Sequence, residues 1–200
     1  MRDPRISEIC RLYREVDRKT AALRMASGLR CPSGCGRCCA TSKVEASILE
    51  VLPAAEGLYL RNETDAVMAM IEEKNRRGDR VCVFHMAHED PFSQGCCAHY
   101  LDRPLICRLF GFAARAGKSG TLEFRPCKWI SDTHPETAAG ASDLISRGFD
   151  LPVYQTSFMQ VASIDPSLGF QSLPINVALR RAIEYLYWKR PLPKKNKTAA

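Results

Sequence analysis

Residues 31–40 read CPSGCGRCCA and place Cys31, Cys35, Cys38 and Cys39 within nine positions. A segment with four thiols and two glycines makes poor core, although isolated buried cysteines pack well as small hydrophobes. Thiolates bind soft or borderline metals, and zinc or a cubane cluster takes about four donors. Two residues separate Cys35 from Cys38, and Gly34 and Gly36 give the backbone freedom to wrap both sulfurs toward one ion. Cys31 can join them. Cys39 diverges from its neighbour Cys38, so it either completes the site through a sharp bend or serves a second metal nearby.

Six further cysteines follow this pattern or precede it: Cys10, Cys82, Cys96, Cys97, Cys107 and Cys127. The compartment decides how to read them. The N-terminal MRDPRISEICRLYREVDRKT is charged throughout and lacks an apolar h-region, and no apolar run reaches membrane-spanning length. The chain therefore reads as cytoplasmic, among reductants, where cysteines are ligands or redox groups rather than structural disulfides. The formal charge is +7. Eight thiolates and two zinc ions would lower that +7 to +3, eight negative charges against four positive. Much of the basicity is thus accounted for by a metal centre. The 46% of hydrophobic residues supplies a real core and excludes a disordered chain.

Periodicity predicts a helix over 4–27, with Ile6, Ile9, Tyr13, Val16 and Leu23 inward and Arg11, Arg14 and Arg18 outward. Gly28 stops it. Ser47 caps a helix over ILEVLPAAE that Pro53 limits or kinks. A helix over 63–77 turns Val67, Met68, Met70 and Ile71 inward and ends at Gly78. RVCVF at 80–84 reads as a strand, and 85–99 as a loop carrying Cys96 and Cys97. Pro104 opens a short helix, PLICRLFGF. GTLEFRPC pairs with FGFAARA in a hairpin across GKSG. Helices over 135–147 and 174–189 complete the chain, the last using Val177, Ile183, Leu186 and Tyr187 for packing and leaving Trp188 to core or partner. The expected fold is α+β, a mostly helical single domain over 1–190 with short strands and loops around a cysteine-rich metal centre. A basic disordered tail occupies 191–200.

The residues also resemble a known family. CPSGCGRCC, then Cys82-Val-Phe, then CAHYLDRPLICRLFGF from Cys97, are similar to the two halves of the signature of the YkgJ-type CxxCxxCC cysteine-cluster family, a zinc- or iron-chelating domain. Cys127 stands where that family has a late cysteine. The resemblance runs from about Cys31 to Cys127. His99 replaces an aliphatic residue of the pattern, and Cys96 is an extra thiol. The resemblance implies that Cys31, Cys35, Cys38, Cys39, Cys82, Cys97, Cys107 and Cys127 bind zinc or iron, the iron alternative including a [4Fe–4S] cluster. Tyr100, Arg103 and Arg108 are expected around the cofactor, bonding to sulfur or fixing the loop.

Three function classes follow: a metal-binding protein, an iron–sulfur redox protein, and a cluster-dependent enzyme. The Cys31-x₃-Cys35-x₂-Cys38 spacing also matches radical S-adenosylmethionine enzymes, but no barrel-length alternation of strands and helices follows it. Longer relatives known as flagellin lysine N-methylases keep an enzyme alternative open, although nothing identifies a methyl donor site here. His85 has ligand-like spacing from Cys82, while His88 and His134 read as solvent-facing. Cys96 with His99 is a weak nucleophile–base pair. Cys10 reads as a small hydrophobe on the first helix. The metal ion is the expected partner, a protein partner is left open, and a membrane is excluded. Sparse aromatics among the helix-one arginines, and no base-reading helix after the cysteine pair, argue against nucleic acid.

Overall fold

Asp3 and Pro4 start the first helix: the Asp3 side chain accepts from the Arg5 N–H, and Pro4 sits where no intrahelical donor is needed. The computed structural model describes residues 3–31, 35–87 and 95–189. Gly34, His88 and the basic tail of 191–200 lie outside the described residues. The helices are α1 (Pro4–Ser27), α2 (Ile48–Leu60), α3 (Thr64–Arg76), α4 (Leu105–Leu109), α5 (Lys128–Thr133), α6 (Pro135–Ser146), α7 (Tyr154–Ala162), α8 (Pro166–Gly169) and α9 (Ile175–Lys189). A 3₁₀ turn covers Tyr100–Asp102. Strands β1 (Glu45–Ala46), β2 (His85–Met86), β3 (Cys96–Cys97), β4 (Ala114–Ala116), β5 (Leu122–Phe124) and β6 (Leu173–Pro174) form three antiparallel pairs, β1 with β6, β2 with β3 and β4 with β5. The fold is mostly helical α+β.

Two apolar clusters share α1. Ile6, Ile9, Leu12, Tyr13 and Val16 join α2, α3, α4 and α9 in the larger one, while Leu23 joins Leu29, Ala114, Ile130, Ala141 and Leu151 in the smaller. The β1–β6 pair sets the starts of α2 and α9 side by side, Ala46 opposite Leu173. The Tyr13 hydroxyl donates to the Glu50 carbonyl at 2.7 Å and accepts from the Leu105 N–H at 3.2 Å, which pins α4 to α1 and α2. No helix among the described residues is long and apolar enough to cross a membrane.

Several sequence expectations change. α2 runs on to Leu60 through Pro53. RVCVF is not a strand. Asn176 takes the Val83 N–H at 2.8 Å and donates to the Val81 carbonyl at 2.9 Å, so this stretch bonds to a helix side chain instead of a ladder. The pairing lies just beyond, His85 opposite Cys97 and Met86 opposite Cys96, inside the expected loop. Gly95 makes that hairpin feasible at φ 85, where an added Cβ would stand 2.0 Å from the Met86 carbonyl oxygen. Met70 and Tyr187 face outward, at 48% and 63% exposure, and Trp188 is not core at 81%. α5, α7 and α8 are additional helices.

Candidate metal centre

The thiols arrive from both clusters. Cys31 to Cys39 follow Leu29, the last apolar anchor after α1. Cys82 is held where Asn176 clamps Val81 and Val83. Cys97 comes from β3, Cys107 from α4, and Cys127 caps α5, its sulfur accepting from the Ile130 N–H at 3.5 Å.

They meet in one basin. A cavity of about 360 Å³ is lined by Cys31, Cys35, Cys38, Cys39, Cys96, Cys97 and Cys107, and a neighbouring one of about 480 Å³ by Cys31, Cys35, Cys38, Cys107 and Cys127. A tighter recess of about 30 Å³ touches Cys39, Cys82, Cys97 and Cys107. All eight cysteines of the motif therefore border the same region. Among the described residues no three histidine, cysteine, aspartate or glutamate side chains stand in ion-holding geometry. The sulfurs meet in pairs: Cys38 Sγ lies 3.7 Å from Cys39 Sγ, and hydrogen bonds also link Cys39 to Cys97 and Cys31 to Cys35.

Those pairs divide the thiols by their hold on a proton. The hydrogen bond from Cys39, then the charge of Arg103 and backbone N–H donors, lower Cys38 to about 7. Cys97 is lowered to about 7 by its bond to Cys39, the His99 backbone and Arg103. Cys39 is correspondingly pushed far up by its bonds to Cys38 and Cys97. Burial, and then the neighbouring Cys35, push Cys31 up to about 12. Burial pushes Cys82 up to about 11 and raises Cys107 as well. Gathering this many sulfurs in a shared low-dielectric region suppresses ionisation unless a cation compensates.

Lys74 acts as a compensating cation on Cys82, and Arg103 does so on Cys38, Cys97 and Cys107. Its guanidinium lies 3.5 Å from the centroid of the exposed Tyr100 ring, and its Nε donates to the Tyr100 carbonyl at 2.8 Å. Arg108 turns elsewhere, to Asp17 and the carbonyls of Leu101 and Arg103. Phe110 and Phe112 of the motif line the larger cavity, together with Arg37, Lys128 and Trp129, which the motif did not single out. Cys96 borders the basin although its place in the motif is that of a spare. Cys10 lines a separate cleft with Tyr13, Arg14 and Asp17, as befits a residue of α1. His85 stands opposite Cys97 in the β2–β3 pair. His99 stacks on Phe84 and meets Arg61 at 2.9 Å, and His134 contacts Trp129 and Glu136.

The family model described as "CxxCxxCC: Putative zinc- or iron-chelating domain" matches residues 30–132, half of the chain. The chain belongs to the CxxCxxCC family. All eight motif cysteines and Arg103 fall within the matched span. Comparison with curated proteins and with solved structures finds no match. The basin suits the metal chemistry of the CxxCxxCC family: its donors are thiols, the preferred ligands of zinc and of iron–sulfur clusters.

Proposed function

We propose that this chain chelates metal through two adjoining four-thiolate sets, Cys31, Cys35, Cys38 and Cys127 in one, and Cys39, Cys82, Cys97 and Cys107 in the other. The observation that carries the reading is the grouping of neighbours. Cys31, Cys35, Cys38 and Cys127 line one open cavity, which Cys107 also reaches, whereas Cys39, Cys82, Cys97 and Cys107 line one narrow recess. Cys38 and Cys39, adjacent in sequence and 3.7 Å apart, join the sets. Loading would draw Cys31 and Cys35 onto one ion and Cys39 and Cys97 onto the other, and release the protons they hold. A bound zinc or iron would supply positive charge that stabilises the thiolates, with Arg103 assisting beside Cys38 and Cys97.

A second reading, an iron–sulfur cluster in the first set with a redox or enzymatic role, is favoured by one observation. The 480 Å³ cavity beside Cys31, Cys35 and Cys38 is open and walled by Phe110, Phe112 and Trp129, leaving room for a further ligand. Protein purified without oxygen separates the two. About two zinc ions or irons per chain and no acid-labile sulfide support closed four-thiolate sites. About four irons with equal sulfide and a visible absorption band support the cluster. Replacing Cys31 and Cys35 by serine should remove roughly half of the metal in the first case, and all of the colour in the second. Wild-type protein that carries and takes up neither metal overturns both.

A further inference from the structure

A cavity of about 650 Å³ lies outside the cysteine basin, walled by α2, α4, α7, β1 and the strand β4. α4 gives it Leu105, Ile106 and Leu109 while sending Cys107 to the basin. Its volume is in the range of small-molecule sites, which run from about 300 to 1,000 Å³. Leu105, Ile106, Leu109 and Phe158 make an apolar floor.

The polar groups around that floor are almost all spent within the protein. The Glu50 carboxylate accepts from the Ser47 N–H and hydroxyl and, at 3.4 Å, from the Ile106 N–H. Glu45 accepts from the Ser172 hydroxyl at 3.0 Å. The Gln155 amide is bonded on both sides to the Ala116 backbone, at 3.1 and 3.2 Å. The Tyr154 hydroxyl donates to the Leu109 carbonyl at 3.2 Å. Lys43 and Arg115 are different. Both are exposed at the cleft, and among the described residues neither side chain is held in an ion pair. Both carboxylates at the cleft, Glu45 and Glu50, already accept hydrogen bonds within the protein, and Glu50 is buried. Two uncommitted cations over an apolar floor select an anion with an apolar body.

We propose that this cleft binds an amphiphilic carboxylate of the fatty-acid class, its chain over Leu105, Ile106, Leu109 and Phe158 and its carboxylate between Lys43 and Arg115. The carboxylate would replace water around two positive side chains, and the chain would be removed from water along the floor. An uncharged or cationic amphiphile of equal length would keep the second gain and forgo the first.

The test uses the full chain with its metal content as purified, titrated calorimetrically with decanoate, decanol and decylammonium below their aggregation concentrations. Decanoate should bind at least about tenfold more tightly than either of the others, the discrimination of one charge-assisted contact. The doubly substituted K43A/R115A protein should lose about that factor for decanoate and keep its affinity for decanol. The proposal is overturned by no binding of decanoate, by equal binding of all three amphiphiles, or by unchanged decanoate affinity in the variant. The comparison of amphiphiles on wild-type protein stands even if the variant folds poorly. Metal content is measured on the same samples, so failure here leaves the reading of the cysteine basin separately visible.

Discussion

Arg108 follows Cys107 directly, yet its guanidinium leaves the sulfurs behind. It donates to the carbonyls of Arg103 at 2.8 Å and Leu101 at 2.6 Å, pairs with Asp17, and covers the Tyr13 ring at 4.7 Å. The backbone it grips carries Arg103, the cation that lowers Cys38 and Cys97. Arg108 is thus a positioning residue. Asp17 is 46% exposed, so water screens that ion pair and the two carbonyl bonds dominate. Arg108→Ala should cost about 2–3 kcal/mol in urea unfolding, and Arg108→Lys, which keeps charge without the fork, about half of that. Equal midpoints for wild type and Arg108→Ala would remove the role assigned to it. Sequence spacing brought Arg103 and Arg108 together as neighbours of the cysteines. It could not tell them apart, because Arg108 lies on α4 and Arg103 in the turn before it. Their directions emerge only when α4 is set against α1. The motif brought the eight cysteines to notice in the same way, but the division proposed for them rests on Cys31 and Cys127, almost a hundred positions apart, lining one cavity.

Among the elements, α1, α3 and α9 were legible because each carries an apolar stripe over many turns. The β4–β5 hairpin was legible from GKSG. α5, α7 and α8 were not: they span 6, 9 and 4 residues, too short for a period to emerge, and α5 is capped by the Cys127 thiol rather than by a usual capping residue. RVCVF has strand-like residues, and the side chain of Asn176, far along the sequence, overrides that preference. α2 shows both kinds of signal. Its Ser47 cap was readable, and the structure adds the reciprocal Glu50, which is buried at 4% exposure. Ser47→Ala should lower stability by about 1 kcal/mol. Burial holds the Glu50 pKa above its ordinary 4.5. Folding therefore favours the protonated form. That contribution is complete below the unfolded value and is lost as pH rises through the folded one. Urea midpoints of wild type should fall relative to Glu50→Gln across that window. Parallel profiles for the two proteins would show that Glu50 does not titrate with folding.

At the scale of the molecule, the cysteine basin lies at the seam between two apolar clusters. Cys82 and Cys107 belong to segments packed on the larger, and Cys127 is packed against the smaller. Metal bound across such a seam would add stability that neither cluster supplies, because ligands from both would share it. The fold has a second fastening that is independent of the thiols. Arg5, near the start of α1, bonds Asp3, Asp165 at the cap of α8, and Tyr185 late in α9, and also lies 5.1 Å from the Tyr185 ring centroid. The side chains of Arg5, Asp3 and Asp165 are only 21%, 14% and 22% exposed, so solvent screening takes little from these bonds. The Arg5 guanidinium is the main cause holding the Asp3 pKa below its usual 3.8. The Ser167 hydroxyl, followed by Arg5, does the same for Asp165. Both carboxylates therefore contribute stability above about 3.8, and that stability is lost as pH falls through their lower folded values. Arg5→Ala should cost about 2 kcal/mol at neutral pH, a fall in Tm of about 4–8 °C for a chain of this size. It should also move acid unfolding to higher pH, since one shared cause of both depressed values is gone. Metal content should stay unchanged, because none of the Arg5 partners borders the basin. A variant that loses metal together with stability would show instead that the two fastenings act as one.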